Sequence, residues 1–396
     1  MVLLAVVFSL EARAGRASSL SDLLSRSPDR IGQPAVLAAP FETELRRTIS
    51  RGTDFPATAT TPGFIYHLNP ELQIYERSSV SLGSAFLDRA DTVGAGHFDV
   101  GLSYLYANFT QRDGHDIDNI REPVLLVRFP PAQDGLLDRT TVQFQEFTLH
   151  TNAFYFSSTY GLTDNWDVNL LVPVFYTTLK VRQSVQTNLT GFRQLPAVRD
   201  DAFGVGDVQL RTKVRMLDVD GFKLATGAAV RIPSGNENNF QGIGDTTIAP
   251  TLVGSYAVGP VDLHGNVGIE YNGDDLERSR AQWGLGASVG FFDWLTGNID
   301  VIGTDQLSDD HVSKVVDASP DQVGEGFFGS NIRLVRHGQK TEVITTIDRL
   351  DSIDVAVGAK VNLFKSLVGF VSVIVPISTG GVRPDVIQAA GLEVSF

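Results

Sequence analysis

The chain contains no cysteine, which removes disulfides, thiolate metal sites and cysteine nucleophiles together. Methionine is nearly absent too, at two residues among 396. Against that scarcity stand 38 glycines, 24 phenylalanines and 9 tyrosines, a profile that suits strands and tight turns better than a helical enzyme. Basic residues are outnumbered, 32 Lys and Arg to 46 Asp and Glu, for a net charge of −14. Nucleic acid is therefore not an expected partner, because phosphate binding needs a basic surface. Beyond the N-terminus no run reaches the roughly 18 apolar residues of a membrane helix. Neither HExxH nor GxSxG occurs and the seven histidines are scattered. Neither an enzyme nor a cofactor is expected.

What is present begins with an apolar run, Met1–Leu10, followed by Ala12-x-Ala14. That small-residue pattern predicts a signal peptide over residues 1–14, cleaved after Ala14. The usual Lys/Arg start is missing, which leaves open a buried strand or helix end instead. Residues 15–92 have too few apolar residues for a core of their own. They read as a periplasmic or lumen-filling segment, with short helix candidates at Ser18–Ile31 and Phe41–Ile49 and a loop at Arg51–Gly63.

From His97 the hydrophobic period becomes two. Phe98, Val100, Leu102, Tyr104 and Tyr106 alternate with polar or small residues, as do Trp166, Val168, Leu170, Val172 and Val174. Val208–Val214, Phe222–Ile232, Val261–Tyr271 and Ile353–Leu363 repeat the pattern. Helical spacing cannot produce these dyads. A soluble sandwich could, but these segments run about 10–14 residues, whereas soluble strands centre near 5–6 and a tilted membrane strand needs about 9–11.

Connection lengths point the same way. Short ones at Gly161–Asp164, Asp218–Gly221, Gly259–Pro260, Phe291–Asp293 and Lys365–Ser366 alternate with longer ones at Gln111–Arg139, Arg182–Phe203, Pro233–Gly242, Gly273–Glu277, Asp305–Asp351 and Thr379–Pro384. Short periplasmic turns, long outer loops and an even strand number mark an outer-membrane barrel. Aromatics near strand ends, Tyr106, Phe109, Tyr160, Trp166, Tyr176, Tyr256, Tyr271, Trp283 and Phe291 among them, fit interfacial girdles. The expected fold is all-β: a closed, antiparallel, up-and-down transmembrane β-barrel of about twelve strands over residues 93–396. Within Thr141–Tyr160 the apolar parity switches, from Val142 and Phe144 to Phe147 and Leu149, which a β-bulge would explain. The last strand ends on Phe396, read as an assembly signal for the barrel-assembly machinery.

Several phrases carry a family resemblance. They are Gly63-Phe64-Ile65-Tyr66, Ser81-Leu82-Gly83-Ser84 with Asp88-Arg89-Ala90, Tyr160-Gly161-Leu162-Thr163-Asp164-x-Trp166-Asp167-Val168, Phe203-Gly204-Val205-Gly206-Asp207, and Arg231-Ile232-Pro233-Ser234-Gly235 before Gly242-Ile243-Gly244. Together, over roughly Gly63–Phe396, the sequence resembles the MetA-pathway phenol-degradation family of outer-membrane transporters. The resemblance implies an outer-membrane barrel that moves small molecules, aromatic ones among them.

The expected inner wall carries charge: Arg211, Lys213, Arg215, Lys223 and Arg231, opposite Asp167, Asp262, Glu270, Asp300, Asp354 and Glu393. Such residues either select ions in a pore or form a salt-bridge network that fills it. Asp113-Gly114-His115-Asp116-Ile117-Asp118 has acids at metal-ligand spacing but no EF-hand register, so a solvated loop is preferred and no metal is expected. The glycines of Gly204-x-Gly206-Asp207 lack a βαβ context and read as bends at strand starts. Ser255, His264 and Asp262 would lie on neighbouring strands, on an exposed wall with no nucleophile elbow. The expected partners are the outer-membrane bilayer and a small solute. The expected function is a passive outer-membrane channel; the alternative is a non-conducting barrel whose outer loops bind a ligand or partner.

Overall fold

Alternation this regular has one low-energy outcome in lipid, a sheet closed on itself so that no backbone edge is left unpaired. The computed structural model shows that outcome. It describes residues 19–23, 46–50, 59–60, 63, 66–69, 74–77, 81–119, 121–126, 138–187, 191–316, 332–337, 340–347, 349–364 and 366–396. The expected signal peptide over 1–14 lies outside the described residues.

Twelve strands form the barrel: β1 Phe98–Arg112, β2 Asp138–Thr163, β3 Trp166–Thr187, β4 in two pieces (Val198–Val205 and Val208–Val219), β5 Phe222–Ile232, β6 Thr247–Val258, β7 Val261–Asn272, β8 Arg280–Phe292, β9 Leu295–Gln306, β10 Ser352–Phe364, β11 Leu367–Pro376 and β12 Val382–Ser395. Each pairs antiparallel with its sequence neighbours, and β12 returns to pair with β1 over Val382–Ser395. The sheet is closed.

Turn chemistry fixes the register. In the β4–β5 turn Asp220 and Gly221 both have positive φ, 49° and 81°, the type I′ geometry that matches strand twist. The parity switch in β2 is a register irregularity between Phe144 and Glu146, after which Phe147 and Leu149 turn inward and are buried. β4 is broken at Gly206-Asp207. There the Gly206 amide donates to Pro173 O at 2.8 Å, and a Cβ on Gly206 would meet the Phe175 ring at 2.3 Å.

Two strands exceed the expected length, β2 at 26 residues and β3 at 22, so their outer ends stand clear of the hydrocarbon. The long β9–β10 connection carries a three-stranded antiparallel sheet of its own, Asp310–Val316, Lys340–Ile347 and Ile332–His337. The β5–β6 connection is tied down by Asp207, which accepts from the Gly235 and Ile243 amides at 3.0 and 2.8 Å. Phe240, in that connection, is fully buried.

The outer face is greasy: Val100, Leu210, Leu252, Val267, Leu285, Val357 and Val371 are all exposed. A belt of this kind around a closed sheet is a lipid-facing surface. At the turn end it is bordered by Tyr160, Trp166, Tyr256 and Phe291, at the loop end by Tyr176 and Tyr271, all exposed. Phe109 departs from the expected girdle: it lies on the inward parity of β1 and is completely buried.

Candidate functional site: the barrel lumen

Inward residues of a membrane barrel must meet water, one another or inserted chain. Here inserted chain meets them. Residues 81–93 form no strand, and their polar groups are held by side chains of the inner wall. The Leu82 amide donates to Thr296 Oγ1 at 2.9 Å, Ser84 bonds Asp300, and the Ala90 amide donates to Ser255 Oγ at 2.8 Å. The Val93 amide donates to Asp167 Oδ2 at 3.0 Å. Nearer the outer end, the Leu20 amide donates to Asn239 Oδ1 at 3.0 Å, and Arg47 pairs with Asp310 at 2.6 Å. Residues ahead of the barrel thus touch the lumen from the outer loops to the turn end. Arg46–Ser50 are helical, overlapping the helix expected over Phe41–Ile49.

The eleven charged wall residues read from the sequence bond neighbouring strands, turns and the inserted chain. Lys213 donates to Arg89 O at 3.0 Å, and Asp167, its register partner on adjacent β3, is beside it rather than opposite. Arg211 donates to Asn169 Oδ1 at 2.8 Å, while Arg215 bonds Asn165 and the Asp164 carbonyl at the turn. Lys223 bonds Asp91, and Asp262 pairs with Arg89 at 3.5 Å. Arg231 lies 4.0 Å from both Asp207 and Glu270, and Glu270 also accepts from Arg280 at 3.0 Å. Asp354 pairs with Arg383, and Glu393 accepts from Lys360 and from the Gly63 amide, each at 3.0 Å. Phe396 is 70% exposed; its amide donates to Phe98 O at 2.8 Å.

Sequence reasoning missed Asp88, Arg89 and Asp91, which sit outside the alternating strands. The signal was there as three charges inside an otherwise small and apolar stretch. Lys360, wholly buried, was missed as well.

The expected wet interior holds for only part of the circumference. Leu105, Ala107 and Phe109 of β1, Phe147, Leu149 and Tyr155 of β2, and Leu171, Phe175 and Leu179 of β3 point inward and are buried. Their apolar wall packs in one cluster with Leu20, Leu23, Ile49, Phe86 and Phe240. Burial is the reason: covered by inserted chain, these positions gain from being apolar.

The Ser255, His264 and Asp262 wall is not exposed either. Ser255 accepts the Ala90 amide, His264 Nε2 lies 3.0 Å from Asp300, and Asp262 faces Arg89. Ser255 and Asp262 hold the segment directly, and His264 contacts Asp300, which bonds Ser84. His150 faces outward, 3.0 Å from the Tyr106 hydroxyl. In the acidic loop, Asp113 accepts the Gly381 amide and Asp116 the Asp118 amide, at 2.8 and 3.0 Å. Among the described residues no cluster of three or more His or acidic residues has a metal-holding arrangement.

The family model described as "Putative MetA-pathway of phenol degradation" matches residues 133–335. The chain belongs to this family. The matched span runs from the start of β2 into the outer sheet, while the phrases Gly63–Tyr66 and Ser81–Ala90 lie ahead of it. No curated protein matches the sequence. An outer membrane channel from Pseudomonas putida F1 is similar in structure, at 12% identity over 78% of this chain and 98% of that one, with a TM-score of 0.47. The NanC porin is similar at 9% identity over 75% and 98%, TM-score 0.37. The translocator domain of the autotransporter NalP from Neisseria meningitidis is similar at 10% over 78% and 90%, TM-score 0.37. At those identities and scores the likenesses carry no inference about substrate. The closed twelve-stranded barrel with its apolar belt places this family member in the bacterial outer membrane.

Proposed function

We propose that the protein is an outer-membrane channel for passive passage of small solutes, aromatic or hydrophobic compounds among them, and that residues 81–93 close it in the state described. One observation carries this reading: the lumen has two unlike walls, an apolar one on β1–β3 and a charged one on β4–β10, separated by inserted chain that pairs with no strand. Displacing that chain breaks side-chain hydrogen bonds and ion pairs but no ladder bond of the barrel. It uncovers an aromatic-lined path beside a polar one, a surface suited to molecules with both kinds of face. Full-length protein reconstituted in a planar bilayer should show discrete openings. Well-folded protein that never conducts would refute the reading. The filled lumen, with a three-stranded sheet in the β9–β10 connection, favours the alternative of a non-conducting barrel that binds a partner through that connection. Removing residues 310–347 should then abolish partner binding while heat-modifiable folding persists.

A further inference from the structure

Between Phe86, Leu87 and Asp88 of the inserted segment and the outer loops the lumen holds a cavity of about 280 Å³. Six cationic side chains line it: Arg211, Lys213, Arg231, Arg278, Arg280 and Arg383. Four carboxylates do so, Asp88, Glu270, Asp351 and Asp354. A chain of net charge −14 therefore turns a cation-rich wall toward this space. Two further acids, Asp207 and Asp245, stand behind Arg231 and Arg278 and do not line the cavity. They fix guanidinium groups that each carry five N–H bonds in a planar fork. Nε of Arg278 and Nε of Arg383 are buried with no hydrogen-bond partner. An unpaired buried donor costs about 1–3 kcal/mol.

The remainder of the wall is apolar, with Phe86, Leu87, Ala249, Val253, Ile302 and Val382. The volume falls just under the roughly 300–1,000 Å³ of sites for drug-sized ligands, which limits the occupant to about one ring. We infer that this cavity is a binding site for a small organic monoanion, a carboxylate carried on a single apolar ring or a short hydrocarbon body. Its carboxylate takes the arginine side, where planar bidentate pairing is available, and its body rests on Phe86 and Leu87. The inference rests on the channel reading and narrows its substrate class.

Benzoate titrated calorimetrically into full-length protein in neutral detergent is the test, with benzylammonium as a cation of the same shape. Benzoate should bind saturably at one per chain, and benzylammonium at least tenfold more weakly. Gln209→Glu puts a carboxylate on the cavity wall without breaking an ion pair, and should weaken benzoate at least tenfold. Arg280→Gln should act in the same direction; if it fails to fold, Gln209→Glu decides alone. No saturable benzoate binding, equal or tighter benzylammonium binding, or an unchanged affinity in Gln209→Glu overturns the site. Conductance in a bilayer is a separate readout: a barrel that binds benzoate but never conducts refutes the channel alone, and one that conducts without binding benzoate refutes the site alone.

Discussion

Lys223, one residue into β5, donates a hydrogen bond to Asp91, so the barrel wall grips the segment that leads into its own first strand. Both side chains are largely withdrawn from water, at 15% and 7% exposed. Removing one partner of a buried pair typically costs about 3–5 kcal/mol, because the other charge is stranded. Lys223 keeps Asp218 at 3.9 Å, which places Asp91→Asn at the lower end, about 3 kcal/mol. The urea midpoint of unfolding in detergent should fall, and channel openings in a bilayer should become more frequent. Unchanged values for both would show that this pair does not hold the segment.

The two faces of the wall make opposite demands on an added charge. Val357 is 53% exposed on the lipid side of β10, whereas Ala229 of β5 faces the lumen and lines its cavity. Val357→Arg should cost about 2–4 kcal/mol, the usual penalty near the bilayer midplane. Ala229→Arg should cost clearly less. Equal penalties measured by refolding into vesicles would mean that the faces are assigned wrongly.

Much of this was legible beforehand, and the reason is geometric. Strict period two from Phe98 onward leaves a strand no choice of face, and alternating loop lengths count the strands. The bulge in β2 was legible because Phe144 and Phe147 cannot share a face without it. The site was harder to read. Lys213 and Lys223 announce themselves by alternating with Val214 and Leu224, but their partners Arg89 and Asp91 come from chain with no period at all. Phe109 and Phe147 were ambiguous for a related reason. An inward aromatic and a girdle aromatic look the same in sequence, and only the chain packed over them distinguishes the two.

Backbone meets backbone where the inserted segment leaves the barrel. A Cβ on Gly161 of β2 would stand 1.9 Å from Gly94 O, and the Gly96 amide donates to Gly161 O at 2.9 Å. No side-chain rotation relieves such a clash. Gly161→Ala should therefore displace residues 94–97 from β2, at a cost of about 1–3 kcal/mol as for other overpacked sites. Hydrogen exchange at those amides should quicken while β6–β9 stay protected. Slow exchange at residues 94–97 in the variant would refute this contact.

The strongest lever on the closed state is an aromatic one. Phe86 meets Phe370 of β11 edge to face, ring centroids 6.4 Å apart at 83°, and both rings are almost fully buried. Truncating either ring removes the same contact, but only Phe86 belongs to the inserted segment. Phe86→Ala and Phe370→Ala should each destabilise the folded protein by about 3–5 kcal/mol. The paired residues differ in what they anchor, so conductance separates them. Phe86→Ala removes the one aromatic ring of residues 81–93, leaving hydrogen bonds, ion pairs and smaller apolar contacts such as Leu82 with Val368, and should raise open probability severalfold. Phe370→Ala leaves the Phe86 ring to settle against the rest of the apolar wall, and should raise it less. If Phe370→Ala opened the channel as readily as Phe86→Ala, the wall and not the segment would be the part that moves.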